Sequence, residues 1–198
     1  MRTPNKRSRE TVRKLVHIFY GLLVVFSLGI AGKLAVCVAL AAVLAAGLLL
    51  SELVLMKVRV PFIYEILEVC DRDYHIRIRP GFGPLRFTLG ALVTTVIFSE
   101  RTASASLLLL TFVDAAAAVV GMNFGKTRIP WSSRKTFEGS AAGFVAGTIV
   151  ASAVLPFRIA AIAAAVAAFV ESFDFDDNVT LPVSAGVAIK MAEAVFRV

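Results

Sequence analysis

Residues 15–56 read LVHIFYGLLVVFSLGIAGKLAVCVALAAVLAAGLLLSELVLM. Only His17, Lys33 and Glu52 in this stretch are ionisable apart from Tyr20 and Cys37, and Gly32–Lys33 divides it into apolar runs at 15–31 and 34–56. A membrane span needs about 20 apolar residues, fewer where neighbours bury it or the bilayer is thin. Each run is thus a candidate span, and the first predicts a retained helix because no small-residue cleavage pattern in a polar stretch follows it. The remaining chain repeats the theme, with apolar runs at 87–98, 103–122, 139–155, 159–170 and 179–196. These predict an all-α, polytopic transmembrane bundle of about seven spans, forming one domain over residues 1–198. The runs at 87–98 and 159–170 are the shortest.

Composition agrees with that fold class. Of 198 residues, 58% are hydrophobic, more than a soluble domain of this size can bury. The charged 18% fall in clusters between apolar runs, as spans joined by wet loops require. The net charge of +7 fits basic loops facing anionic lipid or an anionic substrate; the hydrophobicity argues against nucleic acid as the partner. Two cysteines, Cys37 and Cys70, are too few for a disulfide framework or a zinc site, and Cys37 reads as packing.

Bases in short loops set orientation. Arg2, Lys6, Arg7, Arg9, Arg13 and Lys14 predict a cytosolic N-terminus. Seven alternating spans then put the segments 57–86, 123–137 and 171–178 on the same side. The opposite loops carry only Lys33, Arg101 and Arg158 as bases. Pro61, Pro80 and Pro84 are expected to keep 57–86 from forming a long helix. Gly139, Gly143 and Gly147, four apart, share a helix face that permits close backbone approach, and so do Ala115 to Ala118 with Gly121.

Four groups of residues on the cytosolic side carry chemistry. Glu10, Arg13, Lys14 and His17 fall at spacings of three and four and share one helical face that enters the membrane at Leu15. They read either as a headgroup-level anchor or as a phosphate cradle in which His17 finds a partner. Asp114 lies inside an apolar run, where a carboxylate needs a basic partner, a cation or a polar cavity. Ala118 and Gly121 leave room beside it. The segment 121–139 combines Lys126, Arg128, Arg134 and Lys135 with Ser132, Ser133 and Thr136 just before a helix start. That composition suits phosphate, although a basic loop also serves simply as a topology signal, and the spacing is not that of a Walker A loop. Glu171, Asp174, Asp176 and Asp177 beside Asn178 run against the basic bias and suit Mg²⁺ shared with substrate phosphates. Asn178 is also a candidate cap for the last helix, with Pro182 in its first turns. Together these residues point to transfer of a phosphorus-containing group between a soluble nucleotide and a lipid.

The blocks Glu10-x-x-Arg13-Lys14-x-x-His17, Asp114-x-x-Ala117-x-x-x-Gly121-x-x-Phe124-Gly125-Lys126, Lys135-Thr136-x-Glu138-Gly139-Ser140, and Glu171 with Asp177-Asn178-x-x-x-Pro182 resemble the CTP-dependent lipid kinases. That family comprises the dolichol (polyprenol) kinase, phytol kinase and CTP-dependent diacylglycerol kinase group. Gly83-x-x-x-x-Thr88-Leu89-Gly90 and Phe98 also look familial, and the likeness runs from Glu10 to about Gly186. Met122 departs from it, since the family often has a base after the glycine. The central blocks are also similar to phosphatidate cytidylyltransferases; the N-terminal block and the compact length favour the kinases.

The resemblance implies transfer of the γ-phosphoryl group of CTP to the hydroxyl of a membrane lipid alcohol, with the active site facing the cytosol. It implies that Lys135, Arg134 and Lys126 hold the triphosphate, completed by Arg13 and Lys14, with Thr136 and Asn178 at the nucleotide. Asp114, Asp177 and Glu171 would hold Mg²⁺, and Glu138 or His17 would orient or deprotonate the alcohol. A lipid-phosphate cytidylyltransferase is the alternative. A transporter using Asp114 is a lower one, because broken helices and repeated halves are not evident.

Overall fold

A computed structural model describes residues 6–58, 67, 79–173 and 175–197, with the side chains of residues 6–9 excluded. The expectations placed on Arg2, Pro61, Cys70, Asp174 and most of the 57–86 segment lie outside the described residues, as do those on the side chains of Lys6, Arg7 and Arg9. Six helices are present among the described residues: α1 (Lys6–Leu55), α2 (Phe82–Ile97), α3 (Glu100–Phe124), α4 (Phe137–Ala151), α5 (Phe157–Glu171) and α6 (Asp177–Phe196). The all-α expectation holds among the described residues. Segments Glu10–Leu55, Glu100–Phe124 and Asp177–Phe196 are long and apolar enough to cross a membrane; α2 and α4 are shorter apolar helices.

The break expected at Gly32–Lys33 is a turn inside α1. Gly32 adopts φ 78°, ψ 167°, a conformation that a side chain disfavours. Along an uninterrupted helix Val43 would stand roughly 35 Å from Tyr20, yet both line one cleft, so the two arms of α1 fold back on each other. Lys33 fastens this end. Its Nζ donates to the carbonyls of Val96 (3.0 Å) and Phe98 (2.9 Å), and its backbone N–H donates to Glu100 (2.7 Å). The carbonyls of Val96, in the last turn of α2, and of Phe98, its C-cap, thereby gain donors.

Helix α2 starts at Phe82, earlier than its apolar run, and includes Pro84. Proline is tolerated there because N–H groups in a first turn have no intrahelical partner. Helix α6 has Asp176 at its N-cap position, so Asn178 is inside the helix rather than capping it. The hydroxyl of Thr180 donates to the Asp176 carbonyl at 2.9 Å.

Helix α3 packs against all the other helices and buries Leu107, Leu109, Leu110 and Val113 completely. Small residues bring its neighbours close. A Cβ on Gly139 would meet the Ala117 carbonyl at 2.7 Å, and one on Gly147 would meet Val113 Cγ2 at 2.6 Å, so the glycine face of α4 lies against α3 as expected. Hydroxyls inside this apolar packing bond back to carbonyls four residues earlier: Thr95 to Ala91 and Thr111 to Leu107, both at 2.7 Å. Large apolar side chains such as Phe19, Phe26, Ile30, Leu34 and Ile149 face outward, which suits contact with lipid rather than water.

Gly90 sets the distance between α2 and α6, because a Cβ there would overlap the Asn178 carbonyl oxygen. Gly90→Val is therefore expected to destabilise the fold by about 1–3 kcal/mol through overpacking. A lower thermal unfolding midpoint in detergent would show it; an unchanged midpoint would mean the two backbones do not touch.

Candidate active site

At the end of the bundle opposite Lys33, a cleft of about 1420 Å³ is lined from α1, α2, α3, the α3–α4 loop and the α5–α6 turn. Sequence segments as far apart as Glu10 and Asn178 meet there. Helix α1 presents Arg13, Lys14 and His17 on one face, as their spacing demanded. Lys14 Nζ is hydrogen-bonded to Asp114 Oδ2, and both residues are buried. His17 Nε2 lies 3.6 Å from the same oxygen, and the imidazole meets Phe87 edge-on at 4.6 Å. Arg13 pairs with Glu10 one turn back. The partner that a carboxylate inside an apolar helix needs is thus Lys14, one hundred residues away in sequence.

The α3–α4 loop closes on itself and aims Lys135 inward. Arg128 and Thr136 form an antiparallel bridge, Ile129 N–H donates to the Lys135 carbonyl at 3.1 Å, and Phe137 N–H donates to the Thr127 carbonyl at 3.0 Å. Ser132 Oγ accepts the N–H groups of Arg134 (3.3 Å) and Lys135 (3.1 Å). Thr136 caps α4 by accepting from Gly139 N–H at 3.2 Å. So held, Lys135 Nζ bonds to Glu171 Oε1 and, at 2.9 Å, to Asp177 Oδ2. Burial pushes the Lys135 pKa down, but Glu171 and Asp177 more than reverse this and hold it above the ordinary lysine value.

Asp114, Glu171 and Asp177 form the centre of the cleft. Each offers a carboxylate oxygen within 4.8 Å of the others, from the ends or interiors of α3, α5 and α6. Two further oxygens, Glu171 Oε2 and Asp177 Oδ1, are buried without a hydrogen-bond partner among the described residues. Such oxygens are costly unless a cation or donor reaches them. The trio is therefore a fit for a hard divalent cation with oxygen ligands.

The predicted residues Arg13, Lys14, His17, Asp114, Arg134, Lys135, Thr136, Glu171, Asp177 and Asn178 all line the cleft. Lys126 and Glu138 are not among the described residues that do. Lys126 is exposed, and the Glu138 carboxylate accepts the Thr127 N–H at 3.0 and 3.2 Å. Hydrogen bonds from its own backbone N–H, against some desolvation, and from Thr127 hold the Glu138 pKa below the ordinary value. Arg86 and Tyr20 are among the lining residues that escaped the sequence reading. Arg86 pairs with Asp176 at 2.9 Å and lies 3.8 Å over the Phe82 ring. Tyr20 shares a 3.0 Å hydrogen bond with the hydroxyl of Thr88.

No family model matches the chain, and no solved structure does. Curated relatives do. The chain is 28% identical over 123 residues to phytol kinase 1 of Arabidopsis thaliana, covering 52% of this chain and 40% of that protein. It is 28% identical over 121 residues to CTP-dependent diacylglycerol kinase 1 of Schizosaccharomyces pombe, covering 51% of this chain and 56% of that protein. It is 30% identical over 205 aligned positions to the farnesol kinase of Arabidopsis thaliana, covering 91% of this chain and 64% of that protein. The chain thus spans less than two thirds of each of these three kinases. These relatives, at 28–30% identity and named as phytol, diacylglycerol and farnesol kinases, support the chain's resemblance to the CTP-dependent lipid kinases.

Proposed function

We propose that the chain transfers the γ-phosphoryl group of CTP to the hydroxyl of a membrane lipid alcohol, of polyprenol, phytol-like or diacylglycerol-like type. The observation that carries this reading is the meeting of Lys14, Asp114, Lys135, Glu171 and Asp177 in one cleft open beside apolar helix faces. Phosphoryl transfer consists mainly of positioning and charge neutralisation, and this cluster supplies both. Asp114, Glu171 and Asp177 would hold Mg²⁺. When bound, that ion neutralises charge on the phosphate oxygens.

The protein's own groups do the rest. Lys135, Lys14, Arg13 and Arg134 bind the triphosphate, with Thr136 and Asn178 alongside. On binding, phosphate oxygens take over the ammonium groups that carboxylates hold in this structure. The acceptor hydroxyl sits near His17, whose Nε2 has no hydrogen bond of its own among the described residues and faces the cleft. The lipid oxygen forms its bond to the γ-phosphorus, the bond to the bridging oxygen breaks, and CDP leaves. His17 takes the hydroxyl proton. Glu138 is less suited to that role, since its carboxylate is occupied at Thr127.

The membrane arrangement follows the charge pattern. With α1 counted as two arms about Gly32, the helices give seven segments, and the basic loops favour a multi-pass chain with its N-terminus and cleft at the cytosolic face. Protein reconstituted in liposomes with CTP labelled at either the α or the γ phosphate, and a panel of lipid alcohols, tests the reaction. Label from the γ position on an alcohol is the expected result. Label from the α position on a lipid phosphate, with pyrophosphate released, would instead make the chain a cytidylyltransferase.

A further inference from the structure

The α5–α6 turn and the α3–α4 loop share an aromatic stack that the phosphate chemistry does not use. Trp131 stacks on Phe173 with centroids 5.7 Å apart and planes at 25°, and Phe173 stacks on Phe175 at 5.7 Å and 18°. Phe169 meets Phe173 edge-on at 5.1 Å. Trp131 Nε1–H donates to Ser172 Oγ at 3.1 Å, and that hydroxyl donates to the Phe169 carbonyl at 2.6 Å. The stack is therefore fixed in place, yet its last ring, Phe175, is 68% exposed and lines the cleft.

Asp176 and Asn178 follow Phe175 in sequence and line the same wall. Asp176 Oδ2 is held by Arg86 at 2.9 Å, while Asp176 Oδ1 accepts from Asn178 Nδ2 at 3.4 Å. A carboxylate only accepts, so the amide must turn its nitrogen towards Asp176 and its oxygen away. An amide with a fixed orientation presents a donor and an acceptor in a set order.

Given the nucleotide-dependent reading above, we infer that the nucleobase of the donor stacks on Phe175 and that the Asn178 amide, oriented by Asp176, pairs with the base edge. The stack ends at an exposed ring that lines the same cleft as the acidic trio, where a base belongs if the phosphates lie on Lys135. Aromatic faces accept any base, so stacking supplies affinity and the amide supplies selection. Cytosine places an amino donor beside a ring acceptor, whereas uracil places an acceptor beside a ring donor. A rotatable amide would serve both by flipping. One pinned by Asp176 serves one of them, and the inference is that it serves cytosine.

The test is equilibrium binding of CTP and UTP to the purified full chain, run beside steady-state kinetics with a lipid alcohol. Phe175→Leu should weaken CTP binding about tenfold, in line with the loss of one base–aromatic stack, with little change in kcat, and Phe175→Tyr should restore it. Asp176→Asn, which frees the Asn178 amide to flip, should narrow the CTP-to-UTP preference by about tenfold. Unchanged CTP affinity in Phe175→Leu, or an unchanged preference in Asp176→Asn, overturns the inference. So does an effect of Phe175→Leu confined to the KM of the lipid, which would make the stack a membrane-interface belt. Wild-type protein that binds CTP selectively but moves no phosphoryl group sinks the kinase reading and leaves the base site standing; wild-type protein that binds neither nucleotide ends both.

Discussion

Asp114→Asn is expected to reduce kcat by on the order of 10³-fold in reconstituted protein supplied with CTP and lipid alcohol. The substitution keeps the shape of the side chain and removes the charge on which the cleft is organised. Asp114 holds Lys14, lies 3.6 Å from His17 Nε2, and offers one of three clustered carboxylate oxygens. A fall in turnover could also reflect lost stability, since removing one partner of a buried ion pair costs about 3–5 kcal/mol. A second variant separates the effects. Combining Asp114→Asn with Lys14→Met removes the stranded ammonium, so the unfolding midpoint should recover while turnover does not. Wild-type rates in the single variant would remove Asp114 from the site.

Lys135→Ala is expected to lower kcat/KM for CTP by about 10²- to 10³-fold, with a higher KM for the nucleotide as part of the loss. Lys135 is the bridge between Glu171 and Asp177, and its ammonium stays charged through the neutral range because both carboxylates favour that form. Without it, the two acids face each other with no cation between them. Activity in Lys135→Ala should consequently reach its maximum at a lower Mg²⁺ concentration, since the carboxylates proposed to hold the ion no longer share their charge with an ammonium. A CTP titration at several Mg²⁺ concentrations reads both effects, and a variant matching wild type in each would show that Lys135 only braces the α5–α6 turn.

The acidic centre was legible because each member broke a local rule. Asp114 interrupts an apolar run, and Glu171 with Asp177 reverses the sign of a basic face. Arg86 and Tyr20 broke none. Arg86 sits between Leu85 and Phe87, ninety residues from Asp176, so no spacing links the two. Tyr20 reads as one more apolar residue until Thr88 faces it. Lys126 was drawn in by proximity to Arg134 and Lys135 in a basic loop. Composition does not reveal how a loop bridged between Arg128 and Thr136 distributes its side chains between the cleft and solvent. The early start of α2 was hidden by Pro84, which ends a helix in its interior but not in its first turn. The turn at Gly32 was plain, since a glycine beside a lysine between two apolar runs leaves few other readings.

The pairing of Lys14 with Asp114 also bears on how the chain is made. In a protein threaded into the bilayer as it leaves the ribosome, α1 emerges well before α3, so the ammonium is already waiting when the carboxylate arrives. A lone aspartate at the centre of an inserting helix costs about 2.5–3.5 kcal/mol, and the earlier helix offsets that toll at the moment of entry. Order of synthesis and the proposed catalytic geometry would thus be served by the same two atoms.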